Sequence, residues 1–222
     1  MMTPSPSTVR LAACVPLLAA MAGSAMAQEP GASGDLDARV RAFLEKSRYQ
    51  WHDMNVPESD GRRLYELVLE HGFTRALEVG TSTGHSGIWI AWALSKTGGK
   101  LTTIEIDEGR YRQALAHFEE AGLSGYIDAR LADAHELVPK LDGPYDFVFQ
   151  DADKDWYARY FELLYPKLAS TACYVAHNVS GRGRRGGNPG FVAALDARPD
   201  LETVFVSGRS GGMSVSCRTA GN

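Results

Sequence analysis

Three carboxylates stand at or just past the ends of short apolar runs: Glu105, Asp133 and Asp151. Groups so placed can accept hydrogen bonds from hydroxyls, ligate a metal ion or take a proton. Glu78 lies in ALEVGTSTGHSG (76–87), where an apolar run passes into a turn carrying Gly80, Ser82, Gly84 and Ser86 and then into a helical stretch. Gly80 and Gly84 carry no Cβ, so a ligand can approach the backbone, and the helix start offers free N–H groups. The dinucleotide fingerprint is not met, because Ser82 and His85 occupy its second and third glycine places. A plain strand-to-helix turn is the alternative. Glu105 closes TTIE, 25 residues after Gly80. In open α/β sheets an acid there reaches a ribose and accepts from its two vicinal hydroxyls; the alternative is a solvated strand-end glutamate. Asp133 follows Leu131-Ala132, and Asp151 follows FVFQ directly. Helix capping accounts for Asp153 and Asp155. It does not account for Asp151, which is better placed as a metal or ligand contact.

The elements that must position these groups alternate along the chain. Short apolar runs at 75–79, 100–106, 126–131, 145–150 and 172–177 are separated by amphipathic stretches at 85–96, 108–121, 134–140 and 154–168. That alternation predicts βαβ units and a parallel sheet covered on both faces. Two more runs, 201–207 and 211–217, are joined by only three residues, which allows a hairpin and forbids a helical crossover. The expected fold is α/β, a doubly wound, mostly parallel seven-stranded sheet ending in an antiparallel hairpin. Upstream, Asp35 is placed to cap a first helix whose Leu36, Val40, Phe43 and Leu44 share one face, and a second helix spans 58–71, closed by Gly72. The sites all fall at carboxyl ends of strands, where such folds bind ligands.

Composition narrows the partners. The 222 residues are 44% hydrophobic and 23% charged, with a formal net charge of −4. This describes an ordinary globular domain and gives no electrostatic case for nucleic acid, so a small-molecule partner is expected. The first 27 residues read as a secretory signal: Arg10, an apolar run from Leu11 to Gly23, and Ala25-Met26-Ala27 before Gln28. The run is too short for a stable membrane anchor. The expected organisation is a signal peptide over 1–27 and one catalytic domain over 28–222, exported to the periplasm. Only Cys173 and Cys217 remain beyond the leader. If His177 faces Met213 in antiparallel register, Cys173 falls opposite Cys217, and an oxidising compartment permits a disulfide.

The run DADK-x-x-Y-x-x-Y-F within FVFQDADKDWYARYFELLYPKL makes a more specific statement, joined by WHDMNVPESDGRRL, ALEVGTSTGHS, TTIEID, ADAHELVPKL, the His177-Asn178-Val179 triplet and the C-terminal hairpin. Together these resemble the cation-dependent O-methyltransferases of the catechol and caffeoyl-CoA type, class I enzymes that use S-adenosylmethionine (SAM) on a Rossmann-like fold. The resemblance covers nearly all of the chain past the leader. It implies that Met54 and Val56 flank the methionine moiety of SAM, that Glu78, Gly80, Ser82, Gly84 and Ser86 form its main cradle, that Glu105 holds the ribose, and that Asp133 lies by the adenine. Asp151 would be a metal ligand beside the cofactor, and Lys154 the general base. A homodimer follows from the family's habit alone.

One departure stands out. The family has Asp-Asn at the end of the fifth strand, both on the divalent ion; here the pair is His177-Asn178. Magnesium prefers oxygen ligands, whereas Asp151, His177 and Asn178 could hold manganese, iron or zinc. Alternatively His177 replaces the metal and acts as the base. Trp51 and His52 could line an acceptor pocket, and His85 could touch the cofactor turn. The loop SGRGRRGGNPG (180–190) is either a surface connection or an anion clamp built on Arg182, Arg184 and Arg185. Two rivals remain. One is an exported SAM- or nucleoside-binding protein without activity; the other is a nicotinamide-dependent oxidoreductase, which the glycine spacing opposes.

Overall fold

In the central strands the two buried faces alternate residue by residue. Ala76, Phe147, Phe149, Cys173 and Val175 join one apolar cluster, while Leu77, Val79, Val148, Tyr174 and Ala176 join another. Successive side chains of a strand point to opposite faces, so a strand apolar on both parities must be covered on both sides. The computed structural model, which describes residues 30–179, 188–207 and 211–219, shows that arrangement. The strands are β1 (Arg75–Val79), β2 (Lys100–Glu105), β3 (Ile127–Leu131), β4 (Tyr145–Gln150), β5 (Leu168–His177), β6 (Leu201–Val206) and β7 (Met213–Arg218), in the order β3-β2-β1-β4-β5-β7-β6. The first five are parallel, and β7 runs antiparallel between β5 and β6.

The first cluster packs under α1 (Pro30–Ser47), α2 (Glu58–His71), α3 (His85–Thr97) and α4 (Glu108–Ala121). The second packs under the short α5 (Ala134–Leu137), α6 (Tyr157–Leu164) and α7 (Pro189–Asp196). Gly72 takes the left-handed conformation that closes α2, with its N–H on the Leu69 carbonyl and that of Phe73 on Val68. No helix among the described residues is long and apolar enough to cross a membrane.

Three elements differ from expectation. Helix α1 begins at Pro30, so Asp35 lies inside it; a proline at the first helical position has its φ already set for the helix. Strand β5 starts four residues earlier than its apolar core suggests, at Leu168. Helix α7 was unexpected. Its eight residues start from Asn188, whose side chain accepts from the Phe191 N–H, with Pro189 at the first position.

The β5–β7 register pairs His177 with Met213 and Cys173 with Cys217, and those cysteines form a disulfide. The bridge spans 44 residues, and on a chain-entropy account closing such a loop stabilises the fold by about 4 kcal/mol. The signal-peptide residues and 180–187 of the arginine loop lie outside the described residues.

Candidate active site

The carboxyl ends of β1 to β4 open onto a cleft of about 500 Å³, a size usual for small-molecule sites. Its floor is the turn after β1. Gly80, Ser82 and Gly84 all have positive φ, of 100°, 49° and 98°. A Cβ on Gly80 would lie 2.8 Å from that of Ala152, and one on Gly84 would lie 2.7 Å from the Phe118 ring. Gly80 thus lets the loop after β4 come close, and Gly84 lets α4 pack. Gly80, Ser82 and Ser86 line the cleft, whereas Gly84 and Glu78 shape it from behind.

Glu105 is almost buried and is held by the backbone. Its Oε2 accepts from Ser82 N–H at 2.7 Å, and its Oε1 accepts from Ile106 and Asp107 N–H at 3.0 and 2.9 Å. A carboxylate has about four acceptor positions, so these three bonds leave one, on Oε2, for a ligand hydroxyl.

Glu78 is fully buried one layer below, accepting from Thr103 Oγ1 at 2.6 Å. Burial pushes its carboxyl up from 4.5 to about 7, with the charges of Asp151 and Glu105 adding to the rise and the Ser86 and Thr103 hydroxyls opposing it. The folded state therefore binds this proton more tightly than the unfolded chain does. The resulting stability is fully present below pH 4.5 and is lost as pH rises to about 7; its size is roughly 3 kcal/mol. Glu78→Gln should flatten the pH dependence of unfolding free energy over that window, measured by urea titration at its two ends. A variant with the wild-type slope would show that Glu78 is not the titrating group.

The segment 53–56 is stitched over the turn. The Asp53 carbonyl accepts from Ser82 Oγ at 2.5 Å and from Asn55 Nδ2 at 2.8 Å, and the Asp53 carboxylate takes a two-pronged bond from Arg110 at 2.8 and 3.1 Å. His85 anchors Val56. Its Nδ1 faces the Val56 carbonyl at 2.8 Å and its Nε2 faces Trp89 Nε1–H at 3.0 Å. A carbonyl only accepts and an indole only donates, so the ring carries its proton on Nδ1 and is neutral. Burial agrees, since it lowers the His85 pKa to about 4. Met54 consequently lines the cleft at a positive φ, while Val56 is buried outside it. Trp51 is not brought to this cleft; it stacks on His85 at 4.4 Å and packs on Phe43 and His117.

At the far wall Asp133 lines the cleft and caps α5 by accepting from His135 N–H at 2.8 Å. His135 lines it too, with Nε2 2.7 Å from Asp153 and its ring stacked on Trp156 at 3.8 Å.

The remaining wall carries Asp151 and Lys154. Lys154 Nζ donates to Asn178 Oδ1 at 2.6 Å and lies 3.6 Å from Asp151 Oδ1. Behind Asp151, His177 is 3% exposed and does not line the cleft. Its Nδ1 is 3.1 Å from Asp151 Oδ2 and its Nε2 is 2.9 Å from Asp60 Oδ2. Two carboxylates facing both ring nitrogens fit an imidazolium. Burial pulls the His177 pKa down, but the hydrogen bonds and charges of Asp151 and Asp60 outweigh it and leave the value raised. Asp60 reaches β5 because Gly61 lets Trp89 press on α2; a Cβ there would lie 2.2 Å from that ring. Tyr157, buried, ties α6 to the same strand end by donating to the His177 carbonyl at 3.0 Å.

Sequence reasoning brings Met54, Gly80, Ser82, Ser86, Glu105, Asp133, Asp151 and Lys154 to this cleft, and it misses Asn55, Arg110, His135 and Tyr160 in the lining and Asp60 behind it. Only Asp133-x-His135 carried a local signal, an acid and a histidine straddling a strand end.

A sheet of order β3-β2-β1-β4-β5-β7-β6 with the cleft at its carboxyl edge defines the Rossmann-like methyltransferase class. Residues 34–183 match the O-methyltransferase family model, and the chain belongs to that family. A catechol O-methyltransferase of Niastella koreensis is 37% identical over 135 residues, which are 59% of this chain and 61% of that protein. Caffeoyl-CoA O-methyltransferase 1 of Zea mays is 33% identical over 124 residues, 53% and 48% of the two chains. The chain thus spans about half to three fifths of the length of these curated relatives. Among solved structures, the O-methyltransferase TomG of Streptomyces achromogenes in complex with SAM superposes with a TM-score of 0.67 at 25% identity, over 88% of this chain and 93% of that one.

Proposed function

We propose that the chain is a SAM-dependent O-methyltransferase acting on a hydroxyl of a small, catechol-like aromatic acceptor. The observation that carries this reading is the convergence of a glycine turn, the Glu105 carboxylate and the Asp151–Lys154 pair on one cleft in a member of the O-methyltransferase family. Catechol in the name of one relative supports the acceptor class.

The cleft fits the cofactor in size, and Gly80 lines it. Met54 would flank its methionine end, with Val56 fixing that segment through His85. Gly80, Ser82 and Ser86 would form the floor, backed by Glu78 and Gly84. Glu105 would accept from the ribose, and Asp133 would stand at the adenine end. When bound, SAM would supply an electrophilic methyl on a sulfonium, its thioether leaving with the C–S electron pair. The protein's part is to align the acceptor and remove its proton, because a phenol is mostly protonated at neutral pH. Lys154 Nζ, on the cleft wall, would take that proton as the neutral amine, after giving up one of its own to solvent.

A divalent ion does not fit the donors present. Both His177 nitrogens face carboxylates, and the Asn178 and Asp151 oxygens on the cleft side are shared with Lys154.

Export is proposed on the leader and is supported by the Cys173–Cys217 disulfide, a bond favoured in oxidising compartments. The reading as a binding protein without activity is not favoured, because the Asp151–Lys154 pair stands at the cleft. Incubation with SAM and a panel of vicinal diphenols should yield S-adenosylhomocysteine and a mono-methylated product together. Cofactor binding without product from any diphenol would favour the binding-protein reading, and no binding would contradict both.

A further inference from the structure

Where the family resemblance places a metal-binding carboxylate, the structure places an imidazole ring set between two carboxylates. The His177 ring lies between Asp60 Oδ2 at 2.9 Å and Asp151 Oδ2 at 3.1 Å. The other oxygen of Asp151 has Lys154 Nζ at 3.6 Å, and that amine also holds Asn178 Oδ1 at 2.6 Å. Metal-bound imidazole must be neutral, with a lone pair aimed at the ion, and a ring set between two carboxylates offers none. Magnesium demands near-octahedral oxygen ligation, and the oxygens it would take are engaged by the chain's own nitrogens. Asp60 comes from α2, 117 residues before His177 in sequence, so the clamp depends on the fold and not on a local turn. The sole cluster of His, Cys, Asp or Glu with metal-binding spacing among the described residues is His71 with Cys173 and Cys217, and its sulfurs are joined to each other.

We propose that His177, clamped by Asp60, is the built-in replacement for the divalent ion: it holds Asp151 in place from behind, so that the site binds no divalent cation and works without one. His177 and Asp60 are then positioning residues that act through Asp151 and Lys154. The part concerning turnover rests on the methyltransferase reading; the part concerning ion binding stands apart from it.

His177→Asp tests the idea by gain. It replaces the ring by a third carboxylate beside Asp60, Asp151 and Asn178, which restores the family's donor pair and leaves an acidic cluster in need of a cation. The probe is Mn2+, followed by loss of the free-ion electron paramagnetic resonance signal and by thermal unfolding. Wild-type protein should leave the signal and its melting temperature unchanged. His177→Asp should take up one Mn2+ per chain where the wild type takes up none, melt lower than wild type without the ion, and recover with it. Adding Asp151→Ala to that variant should abolish the binding. Turnover of the wild type should be untouched by a chelator. One Mn2+ bound by the wild type and lost in Asp151→Ala would overturn the proposal, as would a folded His177→Asp that ignores the ion. If His177→Asp does not fold, the wild-type titration decides alone. Failure of all turnover with manganese behaviour as described would count against the methyltransferase reading and leave the ion-replacement claim standing.

Discussion

Lys154→Ala should lower kcat by about a thousandfold, near 4 kcal/mol of barrier, while the dissociation constant of S-adenosylhomocysteine should stay close to wild type. The amine is half exposed, and its backbone is fixed independently of the side chain, since the Lys154 carbonyl accepts from Asn188 Nδ2 at the start of α7. Removing an exposed side chain costs little stability, so the effect should fall on chemistry alone. Lys154→Arg separates two roles. Arginine keeps the charge but does not give up its proton in proteins and so cannot act as a base. If Lys154 removes the acceptor proton, the arginine variant is as impaired as the alanine one. Substantial activity in Lys154→Arg would assign the amine to charge stabilisation instead, and wild-type activity in Lys154→Ala would remove it from the mechanism.

Glu105→Gln should act on binding, weakening S-adenosylhomocysteine by about a hundredfold, near 3 kcal/mol. The carboxylate accepts from three backbone N–H groups, of Ser82, Ile106 and Asp107. A glutamine presents one oxygen and one NH2, so at least one of those donors would face another donor. The turn that carries Ser82 should loosen together with the ribose contact, and at saturating SAM kcat should change far less than affinity. Calorimetric titration reads the effect directly. A wild-type affinity would mean that the ligand does not engage the end of β2.

Glu105 was legible in the sequence for the same reason that the strands were, whereas Lys154 was legible only through the family resemblance. The strands β1, β2 and β4 are short runs largely buried on both faces, stopping where a charged or glycine residue meets the sheet edge. Thus Arg75–Val79 and Tyr145–Gln150 could be bounded from composition alone, and Glu105 and Asp151 fell at the edge by counting. The β5–β7 register was legible only as a condition: with His177 set against Met213, counting places Cys173 opposite Cys217, and the structure has that pairing. Contacts between distant segments were not legible. Asp60 reads as one acid in an exposed helical turn, and only Gly61 under Trp89 brings it to His177. Arg110 reads as a helix-surface charge until Asp53 is folded over it. Trp51 looked like a wall for the acceptor because it is aromatic and near Met54, yet burial of its ring against His85 and Phe43 won. Helix α7 escaped because eight residues give barely two turns of periodicity behind a glycine-rich run.

The central claim is that strand-end loops of this sheet grip an adenosyl thioether beside Lys154. A crystal structure of the protein grown with S-adenosylhomocysteine tests it most directly. The ribose should lie against Glu105, the adenine toward Asp133 and the sulfur on the Lys154 side of Gly80. A cleft left empty at saturating ligand, or a ligand seated elsewhere on the chain, would contradict it.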